Sequence, residues 1–204
     1  MGSAHGAGAG WPGSPLTCGA MEEPWRPTKE QLAAAEGAKV RDVIGTELDV
    51  LFCGINPGLY SGAVRHHFAR PGNRFWKALH ASGFTPRVLG PFEEHELLEY
   101  SLGITNLVRR ATATADHLHD DELRAGARTL RRKVARYQPS WVAFLGLTAY
   151  RVAFGRKTAT VGRQHATIAE SQVWLLPNPS GLNAHYQLPD LAVVFGELRA
   201  AARR

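Results

Sequence analysis

Apolar residues fall into two patterns along this chain: short unbroken runs, and stripes repeating every three to four residues. Asp49-Val50-Leu51-Phe52-Cys53-Gly54-Ile55 is an unbroken run between turn signals. Apolar on both faces, it predicts a buried and therefore parallel strand. Trp141 to Leu145 predicts a second, Leu102 to Val108 a weaker one, and His165–Ala169 with Gln172–Leu176 a pair. Leu123, Ala127, Leu130, Val134 and Tyr137 are spaced four, three, four and three residues apart, so Asp120 to Tyr137 predicts one long helix. Asp120, Asp121 and Glu122 sit where the helix dipole favours anions, and Pro139 stops it. Shorter helices are predicted over Asn73–Ser82, Glu93–Tyr100 and Thr148–Phe154, and a last one from about Pro189, with Leu191, Val194, Phe195 and Leu198 on one face. Thr28 to about Ile44 also has helix chemistry, because Thr28 and Gln31 have capping-box spacing.

Strands alternating with helices predict an α/β fold, a single three-layer α/β/α sandwich with a mainly parallel central sheet. Ligands in such sheets bind beyond the carboxyl ends of the strands. Two turns become interesting on that ground. Asn56-Pro57-Gly58 and Asn178-Pro179-Ser180-Gly181 each follow directly on a buried run. If the two strands are parallel, both turns emerge on one edge of the sheet and flank one cleft. Asn and Pro-Gly are ordinary turn formers, so either turn alone reads as structural.

Composition narrows the picture. The 204 residues are 44% hydrophobic, enough for a sizeable core, and no stretch of about 18 uncharged apolar residues suggests a membrane span. Twenty-four Lys and Arg against 18 Asp and Glu give +6, a moderate lean toward an anionic partner. Cys18 and Cys53 are too few for a disulfide framework or an iron–sulfur cluster, and intracellular residence is the expectation. Residues 1–20 hold no Lys, Arg, Asp or Glu and are rich in Gly, Ala, Ser and Pro. We expect a disordered tail over 1–25, with Met21 a candidate natural start, and one folded domain over 26–204.

The text around the turns is specific. Gly54-Ile55-Asn56-Pro57-Gly58, Phe68, Asn73-Arg74-Phe75-Trp76-Lys77 and Asn178-Pro179-Ser180-Gly181-Leu182, in this order, resemble the mismatch-specific uracil/thymine-DNA glycosylases, a branch of the uracil-DNA glycosylase superfamily. The likeness runs from about Asp49 to Phe195. It implies hydrolysis of the bond between a base and its deoxyribose after the nucleotide is flipped out of the duplex. The partner implied is double-stranded DNA with a mismatched or damaged pyrimidine, met by a monomer without a cofactor, metal or membrane, in a cytoplasmic, nucleoid-associated setting of bacterial type.

Carried over position by position, the resemblance makes Asn56 the residue that holds the attacking water. Gly54, Ile55, Pro57, Gly58, Ser61, Phe68 and Asn178 would form the base pocket, with Phe68 stacking on the base and Ser61 influencing tolerance at base C5. Tyr60 would be a rim residue. Leu182 would be the wedge entering the gap in the stack, and Gly181 and Asn183 would address the widowed base. Arg65, Arg70, Asn73, Arg74 and Ser180 are candidate phosphate contacts, although Asn73 equally suits a helix cap. The sequence departs from the pattern two residues beyond the wedge, where an expected Arg is Ala184, followed by His185.

Other constellations are weak. His66-His67 and His117-x-His119 lack a completing carboxylate or Cys, and no phosphate-binding or nucleophile-elbow motif occurs. Arg124, Arg128, Arg131, Arg132, Lys133 and Arg136 read as the solvated face of the long helix. Competing functions are a non-catalytic sensor of damaged DNA using the same pocket, a small-molecule nucleoside hydrolase, and a phosphate-binding scaffold with unrelated chemistry.

Overall fold

The computed structural model describes residues 26–203; the tail expected over 1–25 and the candidate start at Met21 lie outside them. The apolar runs form a five-stranded sheet. Its strands are β1 (Val50–Gly54), β2 (Leu102–Asn106), β3 (Trp141–Leu145), β4 (Gly162–Ile168) and β5 (Ser171–Leu176), in the order β2-β1-β3-β5-β4. Neighbours are parallel except β4, which pairs antiparallel with β5. Side chains alternate across a strand, so each apolar run feeds two cores. Val50, Phe52, Ile104, Trp141, Ala143, Leu145, Trp174 and Leu176 face one side, against α3 (Phe75–Ala81) and α6 (Leu188–Ala202). Leu51, Cys53, Val142, Phe144, Val173 and Leu175 face the other, against α4 (Asp120–Tyr137) and α5 (Leu147–Phe154). The expected three layers with a mainly parallel sheet are therefore present. Among the described residues no helix is long and apolar enough to cross a membrane.

Helix α4 and strand β3 have the bounds their patterns predict. Beyond shifts of one to three residues at element ends, three segments differ. The helix expected over Thr28–Ile44 is only α1 (Lys29–Ala34). The capping box is real, but no apolar stripe follows it, and Gly37 takes a φ of 77°. The chain then runs extended along β2, with bridges Val43–Ile104 and Lys39–Arg110 covering an otherwise open edge. Glu93–Tyr100 is a 3-10 helix over Pro91–Tyr100. A helix not expected, α2 (Leu59–Val64), starts directly after Gly58. Lys133 also departs from its neighbours. Its Nζ lies 2.6 Å from Asp42 Oδ2 and donates to Thr105 Oγ1 at 2.8 Å, pinning α4 to β2 and to the covering segment. The arginines of that helix face are exposed, as expected.

Gly126 marks where α4 presses on the loop after β2. A Cβ there would fall well inside contact distance of the Leu107 carbonyl, which is backbone and cannot swing aside. Gly to Ala inside a helix normally stabilises by about 0.5–1 kcal/mol. Here overpacking of about 1–3 kcal/mol outweighs it. Gly126→Ala is expected to lower stability in urea unfolding, and a more stable variant would refute this packing.

Candidate base-binding site

Because β1, β3 and β5 are parallel, their carboxyl ends share one edge. The turns after β1 and β5 meet there, over the end of β3 at Leu145. Between them lies a cavity of about 390 Å³. Gly54, Ile55, Asn56, Pro57, Gly58, Ser61, Phe68, Arg70, Asn73, Asn178, Ser180, Leu182 and Asn183 all line it. Gly181 and Arg74 line the adjoining depression, with Arg70, Asn73, Ser180 and Leu182. Arg65 is exposed at the left-handed end of α2, outside both.

Asn56 is held rigidly. Its Nδ2 donates to Thr112 Oγ1 at 2.7 Å and reaches the carbonyls of Pro57 and Arg110 at 3.1 Å each. Carbonyl oxygens only accept, so the amide nitrogen must face them, and Oδ1 is the atom left for the cavity. Thr112 is itself aimed, because its hydroxyl donates to Thr114 O at 2.7 Å. Arg110 is anchored by Glu122, with Nε 2.6 Å from Oε1. That guanidinium, with the His119 N–H, holds the Glu122 carboxyl down at about 2.

Phe68 stacks on Phe75, ring centroids 4.1 Å apart and planes 28° from parallel. Its φ of 51° is left-handed, a strain of about 1–3 kcal/mol for a non-glycine residue. The Ser61 hydroxyl steadies this loop by accepting from the Ala69 N–H at 3.1 Å. Beside the ring, Gly54 leaves room that no side chain could share. A Cβ there would stand 2.5 Å from Asn106 Oδ1 and 3.3 Å from the Phe68 ring.

The second turn is internally tied. Asn178 Oδ1 accepts from the Ser180 N–H at 3.0 Å, and the Asn178 carbonyl accepts from Asn183 Nδ2 at 2.9 Å. Leu182 stands 70% exposed at the cavity rim, an apolar side chain with its surface in water. Asn73 Oδ1 accepts from the Phe75 N–H at 2.9 Å, an Asx turn that leads into α3, whose N-cap is Arg74. Arg74 does not point outward. Its Nη1 donates to the carbonyls of Tyr186, Asn183 and Ser180 at 2.7, 3.0 and 3.4 Å, and its Nη2 to Gly181 at 3.3 Å.

Sequence reasoning missed His67, Asn106, Thr112, Thr114 and Asp116, all of which line the cavity. Asn106 had a signal. It ends β2 in register with Gly54, so the carboxyl-end rule that singled out Asn56 applies to it equally. Thr112, in an isolated bridge to Gly58, and Asp116, in a single 3-10 turn over Ala115–His117, carry none. Among the described residues, no group of three or more His, Cys, Asp or Glu is placed to hold a metal ion. The Cys53 thiol is fully enclosed and burial pushes its pKa far up, so it is no nucleophile.

A family model described as the uracil DNA glycosylase superfamily matches residues 42–199. The solution NMR structure of a candidate uracil DNA glycosylase from Methanosarcina acetivorans superposes with a TM-score of 0.54. The match covers 80% of this chain and 98% of that one at 16% identity, a likeness of fold.

Proposed function

The chain belongs to the uracil DNA glycosylase superfamily, and from that premise we propose that it excises uracil from double-stranded DNA, most readily opposite guanine. The observation that carries the reading is the Asn56 amide, clamped through Nδ2 with Oδ1 left for a cavity that Phe68 and Asn106 also line. A pyrimidine extruded from the stack would lie against the Phe68 ring. Asn56 Oδ1 would accept one hydrogen of a water and turn its lone pair toward the sugar C1′. The C1′–N1 bond breaks with its electron pair on the base, the water oxygen bonds to C1′, and the proton goes to solvent. An amide cannot take that proton, so the rate rests on positioning and on the departure of uracil as a delocalised anion. No lysine lines the cavity among the described residues, which favours hydrolysis to an abasic site over strand cleavage through an amine adduct. Leu182 has the exposure and placement of a wedge, and the enzyme would act as a monomer within the cytoplasm, close to the nucleoid.

Preference for G·U follows from opening. A wobble pair gives up its base at lower cost than A·U, and flipping costs a few kcal/mol. The test is a panel of duplexes bearing uracil, thymine or adducted cytosine opposite each base, treated with alkali after incubation. Uracil opposite guanine should be cut at least about tenfold faster than opposite adenine, with no strand break before alkali. Binding of the G·U duplex without product would favour the sensor, and turnover of free deoxyuridine the nucleoside hydrolase.

A further inference from the structure

His67 is buried on the loop between α2 and α3, and three bonds define it. Its backbone N–H donates to Glu94 Oε2 at 2.8 Å, which fixes the ring's origin. Its Nε2 lies 2.8 Å from the carbonyl oxygen of Arg41. That oxygen can only accept, so Nε2 carries a hydrogen. Its Nδ1 lies 3.2 Å from the side-chain nitrogen of Asn106. Burial holds the imidazole pKa below its ordinary value, against the pull of Glu94. A neutral ring with its hydrogen on Nε2 has a bare lone pair on Nδ1, which demands a donor. Asn106 must therefore give it the NH₂. Its Oδ1 is then directed to the opposite side, over the bare Cα of Gly54, and has no hydrogen-bond partner among the described residues.

The orientation of one amide has consequences for a pyrimidine. Uracil presents a donor at N3 and an acceptor at O4, whereas cytosine presents an acceptor at N3 and a donor at N4. A fixed Oδ1 pairs with an N3–H and repels an N3 lone pair. Were the amide free to turn over, the same side chain would suit cytosine. We propose that His67, through its hydrogen bond to Asn106, locks that amide in the sense that reads a pyrimidine N3–H, so that uracil is accepted and cytosine refused. His67 is thus a positioning residue that sets base specificity by acting through Asn106. The inference rests on the glycosylase reading and refines it.

The test uses duplexes carrying 2′-fluoro-deoxyuridine or 2′-fluoro-deoxycytidine, which resist cleavage. Each is placed opposite thymine, where neither has a Watson–Crick partner. The wild-type protein should bind the uracil duplex about tenfold more tightly than the cytosine one. His67→Leu should narrow that ratio at least about fivefold, while thermal melting shows it folded. An unchanged ratio in the folded variant overturns the role of His67. If His67→Leu does not fold, the wild-type ring decides. Nitrogen-15 correlation spectra at neutral pH should show Nε2 protonated and Nδ1 bare, and an imidazolium or the Nδ1–H tautomer overturns the inference. No preference of the wild-type protein for the uracil duplex over an undamaged one would sink the glycosylase reading itself.

Discussion

Asn56→Ala should abolish most uracil excision while leaving recognition of the damaged duplex in place. Single-turnover excision from a G·U duplex is expected to fall by about a hundredfold or more. Affinity for the same duplex with 2′-fluoro-deoxyuridine should change by less than about threefold. The asymmetry follows from where the amide sits. Its nitrogen is occupied by Pro57 O, Arg110 O and Thr112 Oγ1, all part of the protein's own loops. Pro57 and Thr112 line the cavity, so water can replace the lost donor there and the stability cost stays near 1 kcal/mol. What alanine removes is the amide oxygen left for the cavity, which in the proposed mechanism orients the water. Asp116 offers the control, as the cavity's carboxylate among the described residues. Asp116→Asn should keep most of the rate. If activity instead survives Asn56→Ala and vanishes with Asp116→Asn, the water is activated by a carboxylate base and the role given to Asn56 is wrong.

The sheet and the two turns were legible because their signals are local. A run such as Val50–Gly54 is apolar on both faces only when both faces are covered, and that already implies helices on two sides. The stripe on α4 repeats over about four turns, so no competing pattern exists. The turns stood out through Asn-Pro text at strand ends. Residues whose meaning depends on distant partners were not legible. Asn106, His67 and Arg41 meet through one hydrogen-bond chain although they come from three separate segments. Local text gives His66-His67 the look of a surface pair, and only the fold shows that His67 is enclosed while His66 reaches Glu94 at 3.0 Å. Lys133 shows the same limit. Its place in a basic run suggested solvent, and Asp42, remote in sequence, draws it inward. Helix α2 was hidden because Gly58 and Gly62 weaken a propensity argument. Gly62 is needed for contact, since a Cβ there would come within 2.7 Å of Ala111.

Arg74→Met separates two roles that the sequence left joined. The residue was a candidate phosphate contact, yet its guanidinium donates to four carbonyls between Ser180 and Tyr186. Its own N–H donates to Pro179 O at 2.9 Å, so one residue ties the start of α3 to the whole second turn. Gly181 packs so closely on Gly72 that a Cβ would stand 2.7 Å from the Gly72 carbonyl, and the two loops behave as one body. Methionine keeps the apolar stem and removes every donor. Charged hydrogen bonds of this kind contribute about 1.5–3 kcal/mol, and the variant should lose stability on that order. Leu182 sits at the tip of the tied segment, so its position as a wedge should blur. Excision from a G·U duplex is expected to fall about thirtyfold, since misplacement by an ångström costs on that order. Uracil already held outside the stack in a bulge needs no wedge and should lose far less. A phosphate contact predicts a different signature, weaker binding with the slope of log affinity against log salt reduced by about one. Arg74→Met should leave that slope unchanged. Arg74→Lys should behave like the methionine variant, because a single ammonium cannot span carbonyls that a planar fork reaches together. A lysine variant with full duplex activity, or a lowered salt slope in either, would return Arg74 to the DNA backbone and leave the second turn to hold itself.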